Sequence, residues 1–147
     1  MGIITISRGS YSRGMEIAEI LAERLGYECV SREILLKASE DFNIPEVVLK
    51  HAIHDAPSIL DRFKHGKKKY IAFIRKAFLE YIQKDNIVYH GMAGQFFTAG
   101  LSNILKVRIT ANMDYRINVV KKRDNVEEEK AKHILQNLDE ARRKWSM

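Results

Sequence analysis

Two glycines and two arginines near the amino terminus of this 147-residue chain have the types and spacing of a binding site for an anion. Four residues separate Gly9 from Gly14, Arg8 precedes the first glycine, and Arg13 precedes the second. Glycine lets the main chain approach a ligand closely, and the fork of a guanidinium matches the oxygens of a phosphate. The segment therefore predicts a phosphate-binding loop.

The elements on either side of this segment are those that such a loop needs. The apolar, β-branched run Ile3 to Ser7 predicts a buried strand. From Gly14 the apolar residues recur at helical spacing, and Gly26 is a natural helix end. Main-chain N–H groups at a helix start bind oxyanions whatever the side chains are. We expect these amides to bind phosphate at residues Arg8, Gly9, Ser10, Tyr11, Ser12, Arg13, Gly14, Met15 and Glu16; a plain strand-to-helix turn is the alternative.

The glycine spacing is that of a P-loop, GxxxxGK[ST], but two of its side chains are absent. In a P-loop the lysine reaches the outer phosphates and the hydroxyl binds magnesium. Met15 stands at the lysine position and Glu16 at the hydroxyl position. We expect Arg8 or Arg13 to supply the missing positive charge.

Further along the chain, strand patterns alternate with helical ones. Short apolar strands are predicted at 27–30, 87–89 and 104–109, and Ser31 is the expected cap of the helix that follows the first of them. A strong helix is predicted from about Lys68 to Lys84, and others at 114–123 and 127–145. This alternation predicts one α/β domain over residues 1–147, a parallel sheet flanked by helices.

Composition narrows the class of protein and its location. The net charge is +6, 46% of the residues are hydrophobic and 30% are charged, which is typical of a soluble globular protein. No apolar run is long enough to cross a bilayer, so we expect no membrane partner. Basic residues are spread along the chain without an aromatic-interleaved motif, so nucleic acid is not an expected partner. Cys29 is the single cysteine, no disulfide can form within the chain, and we expect a cytoplasmic protein.

Several stretches resemble the cytidylate kinase-like family, within the nucleoside monophosphate kinases. Those near the amino terminus are Ile4-Thr5-Ile6-Ser7-Arg8, Gly14-x-Glu16-Ile17-Ala18, Leu21-Ala22-Glu23-Arg24-Leu25-Gly26 and Arg32-Glu33-Ile34-Leu35. The later ones are Val88-Tyr89-His90-Gly91-Met92-Ala93-Gly94, Ile109-Thr110-Ala111 with Arg116, Glu127-Glu128-Glu129-Lys130-Ala131 and Asp139-Glu140-Ala141-Arg142. Members of the family commonly have a basic residue where Met15 stands, and the last strand of the family core has no counterpart here, so a truncated chain is one reading.

The resemblance implies a P-loop NTPase-like sheet with an acceptor-binding insertion at about 31–85 and a helical lid at about 112–142. It implies a kinase that moves the terminal phosphoryl group of ATP, with Mg²⁺, to a nucleotide or another small acceptor. A catalytically degenerate module that binds a nucleotide or phosphometabolite is the alternative, which Met15 and Glu16 favour. No metal-ligating cluster is predicted, and the oligomeric state stays open.

Arginines are the expected catalytic groups, because phosphoryl transfer depends on positive charge around the moving group. The candidates are Arg13, Arg116 and Arg142, with Arg123 as a weaker one. A solvated helix face with ion pairs to Asp114 or Glu127 is the alternative for the lid arginines. Acceptor binding is expected from Arg32 and Arg62. His90 either contacts the ligand or is a satisfied core histidine.

Overall fold

The computed structural model describes residues 2–54 and 64–145. Within them, four strands form one sheet: β1 (Ile3–Arg8), β2 (Glu28–Val30), β3 (Ile87–Tyr89) and β4 (Ile104–Ile109). The helices are α1 (Gly14–Leu25), α2 (Glu33–Phe42), α3 (Glu46–His54), α4 (Lys64–Ile82), α5 (Gly94–Phe97), α6 (Met113–Asp124) and α7 (Glu128–Trp145). No helix in these ranges has the length and apolar character needed to cross a membrane.

The sheet is parallel, with strand order β2-β3-β1-β4. β1 pairs with β3 at Ile3↔Ile87 and with β4 at Ile3↔Ile104. The predicted parallel α/β sheet flanked by helices is therefore confirmed. β3 and β4 follow one another in the chain and lie on opposite sides of β1. In parallel sheets of this kind a crevice opens at the carboxyl end of the central strand, and ligands bind there. The segment Arg8 to Gly14 lies at this end.

Alternating side chains of β1 enter two apolar cores on opposite faces of the sheet. Ile3 lies in the larger core, between the sheet and helices α2 to α5. Ile4 and Ile6 lie in the smaller core with Ala18 and Ala22 of α1. The strand is thus held from both faces, so its carboxyl end provides a rigid base for the loop that follows.

Helix α1 has the predicted bounds, and both of its ends have left-handed backbone. Arg13 precedes it at φ 57° without a side-chain cap, and Gly26 follows it at φ 65°. The predicted capping role of Ser31 at α2 is wrong. Arg32 occupies the cap position without a side-chain hydrogen bond, and the Ser31 N–H donates to Glu33 Oε2 at 2.7 Å. The Glu33 carboxylate therefore accepts from the Ser31 N–H, and the Ser31 hydroxyl does not cap the helix.

Helices α6 and α7, the C-terminal helix pair, have a small core of their own. Ile117, Val120, Ala131 and Leu135 are buried between them, and Tyr11 of the loop packs against this group. Asn112 caps α6 by accepting a hydrogen bond from the Tyr115 N–H at 2.8 Å. The loop is therefore in contact with the sheet on one side and with the helix pair on the other.

β4 lies at the edge of the sheet, and β1 is its one strand neighbour among the described residues. Leu105, Lys106 and Arg108 on this strand are exposed. The Lys106 ammonium donates to the Leu101 carbonyl at 2.9 Å.

Candidate functional site

The loop that joins β1 to α1 is fastened to the sheet at its first residue. The Gly9 N–H donates to the Ile109 carbonyl of β4 at 2.9 Å, and Ser12 Oγ donates back to the Gly9 carbonyl at 2.9 Å. Tyr11 and Arg13 both have left-handed backbone, at φ 58° and 57°. Reversals of backbone hand of this kind form concave sets of N–H groups that suit anions.

The polar groups of the loop are available for a ligand. Among the described residues, the N–H groups of 10–16 have no hydrogen-bond acceptor in the structure, including the three at the start of α1. Ser10 is buried, and its Oγ also has no partner there. Buried polar groups are nearly always paired in proteins, so these donors are suited to bind a ligand. The prediction that loop amides bind an oxyanion stays a prediction.

Gly14 is required by a close approach of the main chain. A Cβ added at Gly14 would lie 2.5 Å from the Cβ of Arg8. Real Cβ atoms do not approach so closely, so any larger residue would push α1 away from the end of β1. Gly9 differs, because a Cβ there would meet its nearest neighbour, the Ile109 carbonyl, at 3.7 Å.

Arg116 binds the loop to the C-terminal helix pair. It is buried, its Nε donates to the Ser10 carbonyl at 2.9 Å, and its Nη atoms bond both oxygens of Asp139 at 2.9 and 2.6 Å. The alternative of a solvated helix face paired with Asp114 or Glu127 is wrong for this residue, because the guanidinium is buried against the loop and its partner Asp139 belongs to α7. Its geometry is that of a residue that positions the loop.

Two further arginines of the helix pair reach the loop. Arg142 Nη1 donates to the Arg8 carbonyl. Desolvation and the neighbouring charge of Arg8 lower the pKa of Arg142. Arg123 donates to the Tyr11 hydroxyl at 2.6 Å, and its guanidinium lies 4.6 Å from the centre of that ring. Three guanidinium groups of the helix pair therefore reach the loop or its first residue, and those of Arg116 and Arg123 are paired with the carboxylates of Asp139 and Asp124.

At the start of α1 the positions of the P-loop lysine and hydroxyl are filled differently. Met15 is 48% exposed and carries no charge. Glu16 forms an ion pair with Arg13, whose Nε donates to Glu16 Oε2 at 2.6 Å and whose Nη2 donates to Oε1. The Arg13 charge is therefore partly neutralised, whereas Arg8 has no carboxylate partner within the described ranges.

Beside the loop, a cavity of about 210 Å³ opens at the carboxyl ends of β1, β2 and β3. Small-molecule sites are concave, with an apolar lining and a few polar groups. This cavity fits that pattern, and three of its lining residues are cationic. It is lined by Arg8, Ser31, Arg32, Leu35, Glu46, Lys50, Ile53, Tyr89, Gly91 and Met92.

Of the predicted acceptor residues, Arg32 lines this cavity. Its Nε and Nη2 bond both oxygens of Glu46 at 2.7 Å, and this contact lowers the pKa of the carboxyl group. Arg62 lies outside the described residues. Glu46 and Lys50, which belong to the first turns of α3 and also line the cavity, were not among the predicted residues. The residue pattern of α3 does not indicate that this part of the helix lies near the ends of β1, β2 and β3.

His90, the third predicted acceptor residue, does not line the cavity. It is 7% exposed, directly after β3, and its N–H donates to the Val30 carbonyl at 3.0 Å. Its Nδ1 has no partner among the described residues. Burial and the nearby Arg8 lower its pKa, so the imidazole is neutral at pH 7. The burial agrees with a core histidine, and whether the imidazole contacts a ligand stays a prediction.

Phosphate and magnesium fit this site to different degrees. Free amides, an unpartnered hydroxyl and unneutralised arginine suit a phosphate. Magnesium usually needs one or two carboxylates beside the phosphate oxygens. The carboxylates that contact the arginines at the loop are Glu16, Asp124 and Asp139, and each has both oxygens bonded to a guanidinium. Residues 2–54 and 64–145 contain no group of three or more His, Cys, Asp or Glu side chains that could hold a metal ion. The donor set therefore does not match magnesium.

A parallel sheet with a loop at the carboxyl end of its central strand, covered by a helix pair, defines a nucleotide kinase-like α/β fold. The sequence profile of the Cytidylate kinase-like family matches residues 3–147, and the chain belongs to this family. The comparison with curated proteins finds no match.

Two solved structures are similar in fold. An uncharacterized protein from Eubacterium ventriosum ATCC 27560 is 23% identical, with a TM-score of 0.63 over 97% of this chain and 73% of that one. TT1252 from Thermus thermophilus is 15% identical, with a TM-score of 0.51 over 95% of this chain and 80% of that one. At these identities the similarity establishes the fold alone.

Proposed function

We propose that the chain binds the phosphates of ATP at the phosphate loop and a phosphorylated acceptor in the neighbouring cavity. The terminal phosphoryl group would then pass from ATP to the acceptor, as in a nucleoside monophosphate (cytidylate-like) kinase. The bond to the bridging oxygen of ADP breaks, and a bond forms to an oxygen of the acceptor.

The observation that carries this proposal is the position of Arg8. It ends β1, begins the phosphate loop and lines the cavity, so one residue adjoins both candidate sites. Phosphoryl transfer depends on holding two phosphate groups close together and on neutralising their charge. In this proposal Arg8 and Arg142 would neutralise that charge, and Arg116, which bonds the Ser10 carbonyl, would position the loop. We also propose a cytoplasmic location, which the single cysteine supports.

The test is an incubation of the purified chain with ATP and CMP, with products separated by ion-exchange chromatography. We expect ADP and CDP to form together, and Arg8→Gln to abolish both. The matched control is Arg24→Gln, which changes an exposed arginine in the last turn of α1. A chain that forms no product with CMP, UMP or small phosphorylated acceptors would contradict the enzyme proposal.

Met15 favours a second candidate, a module that binds the nucleotide and does not turn it over. An exposed thioether cannot neutralise the outer phosphates as a lysine does. Calorimetry that detects ATP binding in the same preparation that yields no product would select this candidate.

A further inference from the structure

On the basis of the nucleotide binding proposed above, we propose that the phosphate loop takes polyphosphates as free anions, without Mg²⁺. Guanidinium groups of the chain would provide the neutralisation that the metal provides in other nucleotide kinases. The ligand class is therefore a metal-free nucleoside di- or triphosphate.

The carboxylates at the loop are already neutralised. Both oxygens of Glu16 are bonded to Arg13, both of Asp139 to Arg116, and both of Asp124 to Arg123. A magnesium ion bound by one of these carboxylates would share it with a guanidinium and would lie close to that positive charge. Because Arg116 also bonds the Ser10 carbonyl, displacing it from Asp139 would free the loop from the helix pair.

The remaining donors near the loop are a poor match for this ion. Ser12 Oγ donates to the Gly9 carbonyl, and the partnerless Ser10 Oγ belongs to the residue whose carbonyl accepts from the buried Arg116 guanidinium. A divalent cation at Ser10 would therefore lie close to the Arg116 guanidinium, whose charge is balanced in part by Asp139. The nitrogen of His90 is not a ligand that magnesium prefers, since this hard cation selects oxygen.

The charge balance of the loop favours the more negative ligand. Arg142 Nη1 donates to the Arg8 carbonyl, and burial together with the positive charge of Arg8 lowers the pKa of Arg142. Two like charges therefore lie close together at the end of β1. A free polyphosphate would reduce the repulsion between the two arginines. A polyphosphate with bound Mg²⁺ carries less negative charge and would reduce that repulsion less. In a site of reduced dielectric constant such a difference is large enough to change affinity.

The experiment is calorimetric titration of the full chain with ATP, once in excess EDTA and once in excess MgCl₂. We expect about tenfold tighter binding in EDTA, since each charge-assisted contact contributes on that scale. Glu16→Gln should tighten binding in both buffers, because it removes a negative charge and releases Arg13. The matched control is Glu23→Gln, which changes an exposed carboxylate further along α1 and should leave the affinity unchanged.

The outcomes separate this proposal from the proposed function. Binding in EDTA that equals or exceeds binding in MgCl₂ supports metal-free recognition. Binding that is weaker in EDTA, or an affinity in MgCl₂ that falls in Glu16→Gln, overturns it and leaves nucleotide binding intact. If ATP binds in neither buffer, the nucleotide-binding proposal itself fails, and metal-free recognition fails with it.

Discussion

Replacing Arg116 with methionine should both destabilise the fold and weaken ligand binding at the loop. The residue is 9% exposed, and the substitution keeps an aliphatic side chain in α6 while removing three hydrogen bonds. Removing one partner of a fully buried ion pair costs about 3–5 kcal/mol, whereas exposed pairs contribute about 0–1 kcal/mol. The Asp139 side chain is 34% exposed, so its charge is partly solvated in the variant. We therefore expect a loss of about 2–3 kcal/mol.

Urea denaturation followed by circular dichroism measures this free energy of unfolding. The control is Arg75→Met, which changes an exposed arginine of α4 without an ion pair among the described residues and should stay within about 0.5 kcal/mol of the wild type. A double-mutant cycle with Asp139→Asn should give a coupling energy of about 1–2 kcal/mol. If Arg116→Met unfolds like the control, or if the coupling energy is zero, Arg116 does not anchor the loop and the reasoning is refuted.

Gly14→Ala should cost about 1–3 kcal/mol of stability because its Cβ has no space, while Gly9→Ala should be tolerated; thermal unfolding of the pair checks this, and equal losses would contradict it. Lowering the pH below 6.5 should destabilise the wild type, because the folded state holds buried His90 at a lowered pKa and the unfolded state takes up the proton first. Between the pKa values of His90 in the folded and unfolded states, the loss of stability is at most about 1.4 kcal/mol per pH unit. Urea denaturation at two pH values measures this loss, and the His90→Gln variant should not show it. Met15→Lys should tighten ATP binding about tenfold by adding a charge-assisted contact, while the similarly exposed Ile20→Lys should not; equal titration curves for the two would refute a phosphate site at the start of α1.

The parts of the fold that depend on local pattern could be predicted from the sequence. Helix α1 has its predicted bounds because its apolar stripe and Gly26 act within a few residues of one another. The parallel sheet was predictable because each short strand alternates with a helix. The cap of α2 was mispredicted, since the cap position falls on Arg32 and not on Ser31, and residue type alone does not fix a helix start to within one residue.

The parts of the site that depend on distant contacts could not be predicted. Arg116 and Asp139 are 23 residues apart, and both local acids near Arg116 were better candidates by spacing. The cavity joins Lys50 of α3 to Arg8 of β1, a proximity that exists only after the sheet has formed. The sequence singled out Arg116 and Arg142 as candidates, but it could not show that they donate to the main-chain carbonyls of Ser10 and Arg8. Every residue has a main-chain carbonyl, so residue types do not indicate which of them will accept such a bond.

The edge position of β4 also affects how the chain behaves in concentrated solution. An unpaired strand edge is a template for pairing with another molecule. In an association of two such edges, Lys106 and Arg108 would bring four positive charges together, which opposes self-assembly at low ionic strength. Salt screens that repulsion, whereas the apolar attraction between exposed Leu105 side chains remains. The protein should therefore aggregate less in storage buffers of low salt concentration than in buffers of high salt concentration.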